Sequence, residues 1–338
     1  IHNDVFKRII DFKHGKDFTK KYYEMSEDDK IEFISNSNFE SQNDKFSDVN
    51  VLNTLGSIDA MRAIQKSNGE KGCHRYIISH NESALNIFEV FYMFKISGWV
   101  NPLVDIVPLF ETIEDLNISV SVMEKVYRNK LYKNHLKSRG SEQIIMLGFS
   151  DGTKDGGYFT ANWEILKAKE NLTKLSLKYG IKVKFFDGRG GPPARGGGNT
   201  HQFYSSLSGV LDSKQIQLTI QGQTISSNFG TIDSCQYNLE QLISSSLNNS
   251  EIKSSDSVLS DDNRKTMDKL SEISFKAYND FKSHPMFLSY LEKMSTIKYY
   301  AKTNIGSRPS KRPSDSEGFD FENLRAIPFV GGWSQLKQ

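Results

Sequence analysis

The sequence predicts an α/β protein: part of a (β/α)8, TIM-type barrel with many additional α-helices. Three observations predict it. Short apolar runs alternate with longer helical stretches from about residue 74 onward, and parallel strands need such crossovers between them. Polar residues collect just after the apolar runs: Glu111, Ser150-Asp151, Asp187-Gly188-Arg189 and Gln221-Gly222-Gln223. In a barrel the C-terminal strand ends face one shared site, so that placement favours a barrel over a doubly wound sheet. Finally, the stretches before and after this region read as helical and polar.

Residues 1–70 form the first of three expected regions, a helical segment preceding the strands. Ser26-Glu27-Asp28-Asp29 opens a helix there, with Ser26 as N-cap and acids in the first turn suiting the helix dipole. The stretch from Ser35 to Asn50, rich in Asn, Ser and Asp, reads as loop. Residues 71–250 are expected to be the C-terminal part of the barrel with its active-site loops. Strands are predicted at Arg75 to Ser79, Val104 to Phe110, Glu142 to Phe149, Ile181 to Phe186 and Gln215 to Ile220. A buried helix is predicted at Ala84 to Ile96 and another helix at Tyr158 to Lys178. Five strands cannot close such a barrel, so the remaining strands are expected upstream of Ile1. Residues 251–338 are expected to be a helical extension. A Ser-rich linker, Ser244 to Ser257, leads into helices at Asp262 to Lys282 and Pro285 to Met294, then a basic loop, Ile305 to Pro313.

The bulk numbers exclude several classes. At 37% hydrophobic and 25% charged the chain is an ordinary globular one, and a net charge of +2 gives no global field for nucleic acid or an anionic membrane. Its two cysteines, Cys73 and Cys235, lie far apart and outside any C-x-x-C pair, which argues against a disulfide framework or structural zinc and for a reducing cytoplasm. No apolar run approaches membrane-spanning length, and Ile1 to Ile10 carries too much charge for a signal peptide.

The segment richest in chemistry runs from Gly188 to Gly198, with six glycines and Arg189 and Arg195 directly after an apolar strand. Glycine lets the backbone approach a ligand, and the guanidinium fork matches carboxylate and phosphate. Together they suggest an anion-gripping loop. The plainer alternatives are a surface loop or an RGG-type RNA-binding run, though the repeat stops at once without a basic, aromatic flank. A second segment, Gly148 to Gly157, lies between a strand and a helix but lacks the G-x-x-x-x-G-K-[ST] order of a phosphate loop. In it Asp151 could ligate a hard cation, Lys154 could neutralise a small anion and Asp155 could cap the next helix. Glu111, at a strand end in Pro108 to Thr112, is a natural magnesium ligand, or simply a helix-start acid.

These segments, in their order, resemble phosphoenolpyruvate carboxylase. The run FSDGTKDGGYFTANWEILKAKE is similar to the family's Ser-Asp-x-x-Lys-Asp motif and the helix with Trp-x-x-Tyr-Lys-Ala-Gln that follows it. GRGGPPARGGGNTH is similar to its Gly-Arg-Gly-Gly-x-x-x-Arg-Gly-Gly loop with a trailing His, here His201. PLFET, TIQGQTI, NIGSRPSKR and NLRAIPF also have counterparts in the right order, and the likeness spans nearly all of residues 70–335. The resemblance implies carboxylation of phosphoenolpyruvate with bicarbonate to oxaloacetate and phosphate, through carboxyphosphate and a metal-bound enolate, feeding the tricarboxylic acid cycle. It implies Mg2+ (or Mn2+) as cofactor, a cytoplasmic homo-oligomer (a tetramer), and no nucleic-acid or membrane partner.

Carried over by position, Glu111 and Asp151 match the metal ligands and Lys154 a lysine that holds bicarbonate. Arg189 and Arg195 match the loop arginines, and Arg308 and Arg325 arginines of the phosphoenolpyruvate pocket. The expected catalytic set is therefore Arg195, Lys154 and Arg189, and the substrate-binding set Arg189, Arg308, Arg325 and Lys154. The chain departs from the pattern at Asp187, where the family usually has His. None of its seven histidines has the Thr-Ala-His-Pro-Thr context of the family's catalytic one, so the isolated chain is expected to be inactive. Two other readings remain open: a different metal-dependent phosphoenolpyruvate or pyruvate barrel, and a fragment or degenerate subunit serving only in assembly.

Overall fold

A computed structural model of the chain describes residues 2–37, 46–189, 199–207, 215–220, 223–251, 259–300, 321, 324–334 and 336. The basic loop predicted at 305–313 lies outside them. Five strands form one parallel sheet: β1 (Arg75–Ile78), β2 (Asp105–Phe110), β3 (Glu142–Leu147), β4 (Lys182–Asp187) and β5 (Gln217–Leu218). Their order is β1-β2-β3-β4-β5, with each strand beside its sequence neighbour. A doubly wound sheet reverses its order at a switch point, whereas a barrel keeps it. The sequential order therefore belongs with a partial TIM-type barrel. In β1 and β2 the register runs from Arg75 opposite Asp105 to Ile78 opposite Pro108. The fifth strand is shorter than its apolar pattern predicts, only Gln217–Leu218, paired with Phe186 and Asp187.

The chain divides into two compact units. The first comprises Ile1–Leu109, Val120–Ile145 and Leu175–Val183. Its opening helices are α1 (His2–His14), α2 (Lys16–Glu24), α3 (Glu27–Asn36) and α4 (Val49–Asn68). In α1 the stripe Val5, Phe6, Ile9, Ile10 is buried, and Gly15, at φ 81, turns the chain into α2 with a backbone conformation that side chains disfavour. Ser26 caps α3 as predicted, its hydroxyl accepting from the Asp29 N–H at 3.2 Å. That helix runs through Ser35 and Asn36, both read from sequence as loop.

The core of this unit is α5 (Ala84–Ile96), buried nearly all round. Each of its fully buried Ile and Phe side chains contributes about 2 kcal/mol of transfer free energy. Its first N–H groups, on Ala84 and Leu85, donate to the Glu27 carboxylate at 3.1 and 3.3 Å. Between β2 and β3 lie α6 (Ile113–Arg128) and α7 (Lys130–Ser138).

The second unit comprises Phe110–Ser119, Met146–Lys174 and Lys184–Gln338. After β3 come α8 (Phe149–Gly156) and α9 (Tyr158–Lys178), and after β4 comes α10 (Thr200–Ser205). Beyond β5 follow α11 (Gln223–Phe229), α12 (Ile232–Glu251), α13 (Asp261–Lys282), α14 (Phe287–Met294), α15 (Ile297–Tyr300) and α16 (Ala326–Ser334). The predicted Ser-rich linker is helical up to Glu251. Its serines satisfy their hydroxyls on the helix's own carbonyls, Ser244 on Gln241 and Ser245 on Leu242, so the composition does not break it.

Helix α13 docks on α9 through polar contacts. Trp163 Nε1 and Lys167 Nζ both donate to Asp268, and Arg264 Nη2 lies 2.8 and 2.7 Å from the two oxygens of buried Glu170. A small apolar cluster of Phe287, Leu291, Ile297, Leu324, Phe329 and Val330 holds the last helices. Among the described residues no helix is long and apolar enough to cross a membrane.

Candidate functional site

Three strand ends in the second unit carry the predicted residues. Glu111 follows β2 directly. The helix-start donors beside it are already used: the N–H groups of Glu111 and Thr112 donate to Asp115 at 3.1 and 3.0 Å, and Asp115 N–H donates back to the Thr112 hydroxyl. This is a capping box, completed by Ile113 N–H donating to Asp155 at 2.9 Å. Helix capping here is done by Thr112, Asp115 and Asp155. Asp155, expected to cap the helix after it, instead caps the one before, because the chain folds its carboxylate back onto the start of α6.

At the end of β3, Gly148 N–H donates to Phe110 O at 2.9 Å. A Cβ at Gly148 would stand 3.1 Å from Glu111 Cα and 3.2 Å from its Cγ. A side chain there would crowd the Glu111 stem over this strand end by a few tenths of an ångström. The segment that follows is itself a helix, α8, with Asp151 in its first turn. At the end of β4, Gly188 N–H donates to Leu147 O at 2.9 Å, and a Cβ at Gly188 would press to 3.0 Å on that same oxygen. Glu111, the turn bearing Asp151, and Arg189 therefore occupy adjacent strand ends.

Among the described residues no group of three or more His, Cys, Asp or Glu side chains is placed to hold a metal. Two carboxylates suit a hard cation that keeps most of its shell for water and substrate, as Mg2+ does. By donor chemistry, Glu111 and Asp151 are of the type that Mg2+ (or Mn2+) takes.

Arg189 is buried, at 4% exposure, with its Cζ 3.8 Å from the Phe203 ring centre and 5.9 Å from that of Phe149. Burial pulls its pKa down, while Tyr204 and Asp187 act to raise it. Lys154 Nζ donates to the carbonyls of Phe321 and Leu324 at 2.9 and 2.7 Å and lies 4.5 Å from the Phe321 ring centre. It is thereby tied to the backbone just before Arg325. Tyr278 donates to Lys154 O at 2.9 Å and Lys282 Nζ donates to Asp155 O, so α13 closes the C-terminal end of α8. Arg195 and Arg308 lie outside the described residues.

Asp187, the departure from the family pattern, is 2% exposed and has a partner that the sequence reading missed. Lys169 Nζ, on α9 and also 2% exposed, is 2.7 and 2.8 Å from its two oxygens. Tyr204 donates to Asp187 Oδ2 at 2.9 Å. A signal was present: Lys169 stands at the Gln position of the Trp-x-x-Tyr-Lys-Ala-Gln motif that the chain resembles and Asp187 where the family usually has His, so two opposite charges depart from that pattern together.

Compared with known protein families, residues 1–338, the whole chain, match the phosphoenolpyruvate carboxylase family model, and the chain belongs to that family.

Proposed function

We propose that this chain contributes the metal- and anion-binding face of a phosphoenolpyruvate carboxylase, a carboxy-lyase that joins phosphoenolpyruvate and bicarbonate to give oxaloacetate and phosphate. The observation that carries the reading is the close approach of Glu111, the Asp151 turn and the Arg189 turn at adjacent strand ends, permitted by Gly148 and Gly188.

The reacting species are anions that repel one another. Glu111 and Asp151 would hold the divalent cation, which supplies positive charge where the enolate oxygen develops negative charge. Arg189, Arg195, Arg308 and Arg325 offer guanidinium forks for the carboxylate and phosphate of phosphoenolpyruvate. A bicarbonate oxygen attacks phosphorus and the P–O bond to the enol oxygen breaks, giving carboxyphosphate and the enolate of pyruvate. Carboxyphosphate releases CO2 and phosphate, and the enolate carbon forms the new C–C bond. Lys154 would serve bicarbonate, its ammonium steadied against the Phe321 and Leu324 carbonyls. Phe149 and Phe203, packed edge-on against each other, keep water from Arg189, which strengthens its hold on an anion. Cytoplasmic location, assembly as a homo-oligomer, and division into a helical segment (1–70), a barrel part (71–250) and a helical extension (251–338) belong to the same reading.

The test is oxaloacetate formation from phosphoenolpyruvate and bicarbonate with Mg2+, by the polypeptide that carries this sequence. Asp151→Asn and Glu111→Gln should each lower kcat/KM by about 100-fold or more and weaken the dependence on metal. Variants as active as the parent, with an unchanged metal requirement, would refute the assignment.

A further inference from the structure

Asp187 poses a physical problem that its surroundings answer. A carboxylate two residues before a buried arginine, at a site for anions, would repel the ligand if its charge stood alone. Lys169 cancels that charge at 2.7 and 2.8 Å, with the rings of Phe185 and Phe203 at 5.5 and 5.6 Å from its ammonium. Tyr204 adds a hydroxyl donor at 2.9 Å. Burial, and next the charge of Asp187, raise the Tyr204 pKa, so the hydroxyl keeps the proton it donates. Tyr204 sits on α10 next to Phe203, whose ring lies 3.8 Å from the Arg189 Cζ and packs edge-on against Phe149 at 5.6 Å.

We propose that Lys169, Asp187 and Tyr204 form a buried positioning unit for Arg189, in which Lys169 and Asp187 function only as a pair. Asp187 ties the end of β4 to α10 through Tyr204, α10 presents Phe203, and Phe203 seats the guanidinium. Lys169 makes the carboxylate tolerable in a dry interior and beside an anion site. Exchanging one partner leaves the other as a buried, uncompensated charge, whereas exchanging both restores neutrality. The family motifs carry Gln and His at these two positions, which supplies the neutral replacement pair. The three are positioning residues. Their importance for catalysis rests on the proposed function, in which Arg189 binds the anionic substrate.

The experiment is a cycle of Lys169→Gln, Asp187→His and the double variant, with Tyr204→Phe alongside, all in the complete polypeptide that carries this sequence. The first readout is independent of activity: the rate at which an arginine-selective dicarbonyl modifies Arg189, followed by peptide mapping. Each single exchange should speed modification by about tenfold, and the double should return to within about threefold of the parent. The second readout is kinetic: KM for phosphoenolpyruvate should rise in the single variants with a smaller change in kcat, and recover in the double. Should a single-charge variant fail to fold, Tyr204→Phe, which removes one hydroxyl, must still speed Arg189 modification. Unchanged Arg189 reactivity in every variant, or a double no better than the worse single, overturns the proposal. So does a double that regains its unfolding midpoint but not its Arg189 protection, because the pair would then be structural alone. A complete polypeptide carrying this sequence that makes no oxaloacetate refutes the proposed function, and the modification cycle still decides the positioning unit.

Discussion

Replacing Glu89 by Gln should stabilise the protein at neutral pH and abolish one component of its pH dependence. Glu89 lies in α5 at 3% exposure, and burial pushes its pKa from 4.5 to about 8, with Lys30 on α3 and Asn86 on α5 partly opposing the shift. Tyr22 and Tyr23 on α2 also face it, and its charge raises the pKa of both. The folded state therefore holds a proton that the unfolded chain releases. Below pH 4.5 both states are protonated and nothing is lost. As pH rises from 4.5 toward 8 the unfolded state is favoured by about 1.4 kcal/mol per unit, after which the curve is level. At pH 7 the accumulated penalty is about 3 kcal/mol, and Glu89→Gln removes it at nearly constant volume, less about 1 kcal/mol for the buried amide. Urea unfolding of parent and variant across pH 4.5 to 9 measures this, because all other titrations cancel in the difference. A pH-independent difference, or a variant less stable than the parent at pH 8, would refute the reasoning.

Three further outcomes are expected. His135 is buried against Phe91 and held neutral, its pKa lowered to about 4 by burial and then by Arg139. Its contribution has the opposite sign: full above pH 6.5 and falling by about 3 kcal/mol as pH drops toward 4, a slope that should vanish in His135→Phe. Gly148→Ala should cost about 1–3 kcal/mol in urea unfolding and weaken Mg2+ binding by calorimetry, since the new methyl must displace Glu111. Arg264→Met leaves the Glu170 carboxylate buried without its guanidinium partner and should cost about 3–5 kcal/mol, most of which a second change, Glu170→Leu, should restore.

Much of the fold was legible in the chain. Ala84–Ile96 and Tyr158–Lys178 form helices with the bounds their apolar patterns predict, and β1 to β4 fall within a residue or two of the predicted runs. These signals are local: periodicity, caps and turn residues act within a few positions. Misreadings arose where composition and context disagreed. Serine-rich residues 244–251 continue a helix, with Ser244 and Ser245 bonding back to carbonyls of the preceding turn, and the last apolar run pairs over only two residues. Glu111 and Arg189 stand within two residues of a strand end and Asp151 in the first turn of the helix after β3, placements that the order of apolar runs and polar residues in the sequence already indicates.

The sequence by itself determined the alternation of strands and helices, the strand ends that bear polar residues, and the family, since contiguous motifs in a set order survive without any knowledge of contacts. Only the tertiary structure decided which side chains meet. It brought Lys169 to Asp187 across 18 positions, Asp155 to Ile113 across 42, and Lys154 to Phe321 across 167. A charged side chain has the same identity in water and in a dry interior. Its role depends on what surrounds it, and that is set by packing between segments that are distant in the chain.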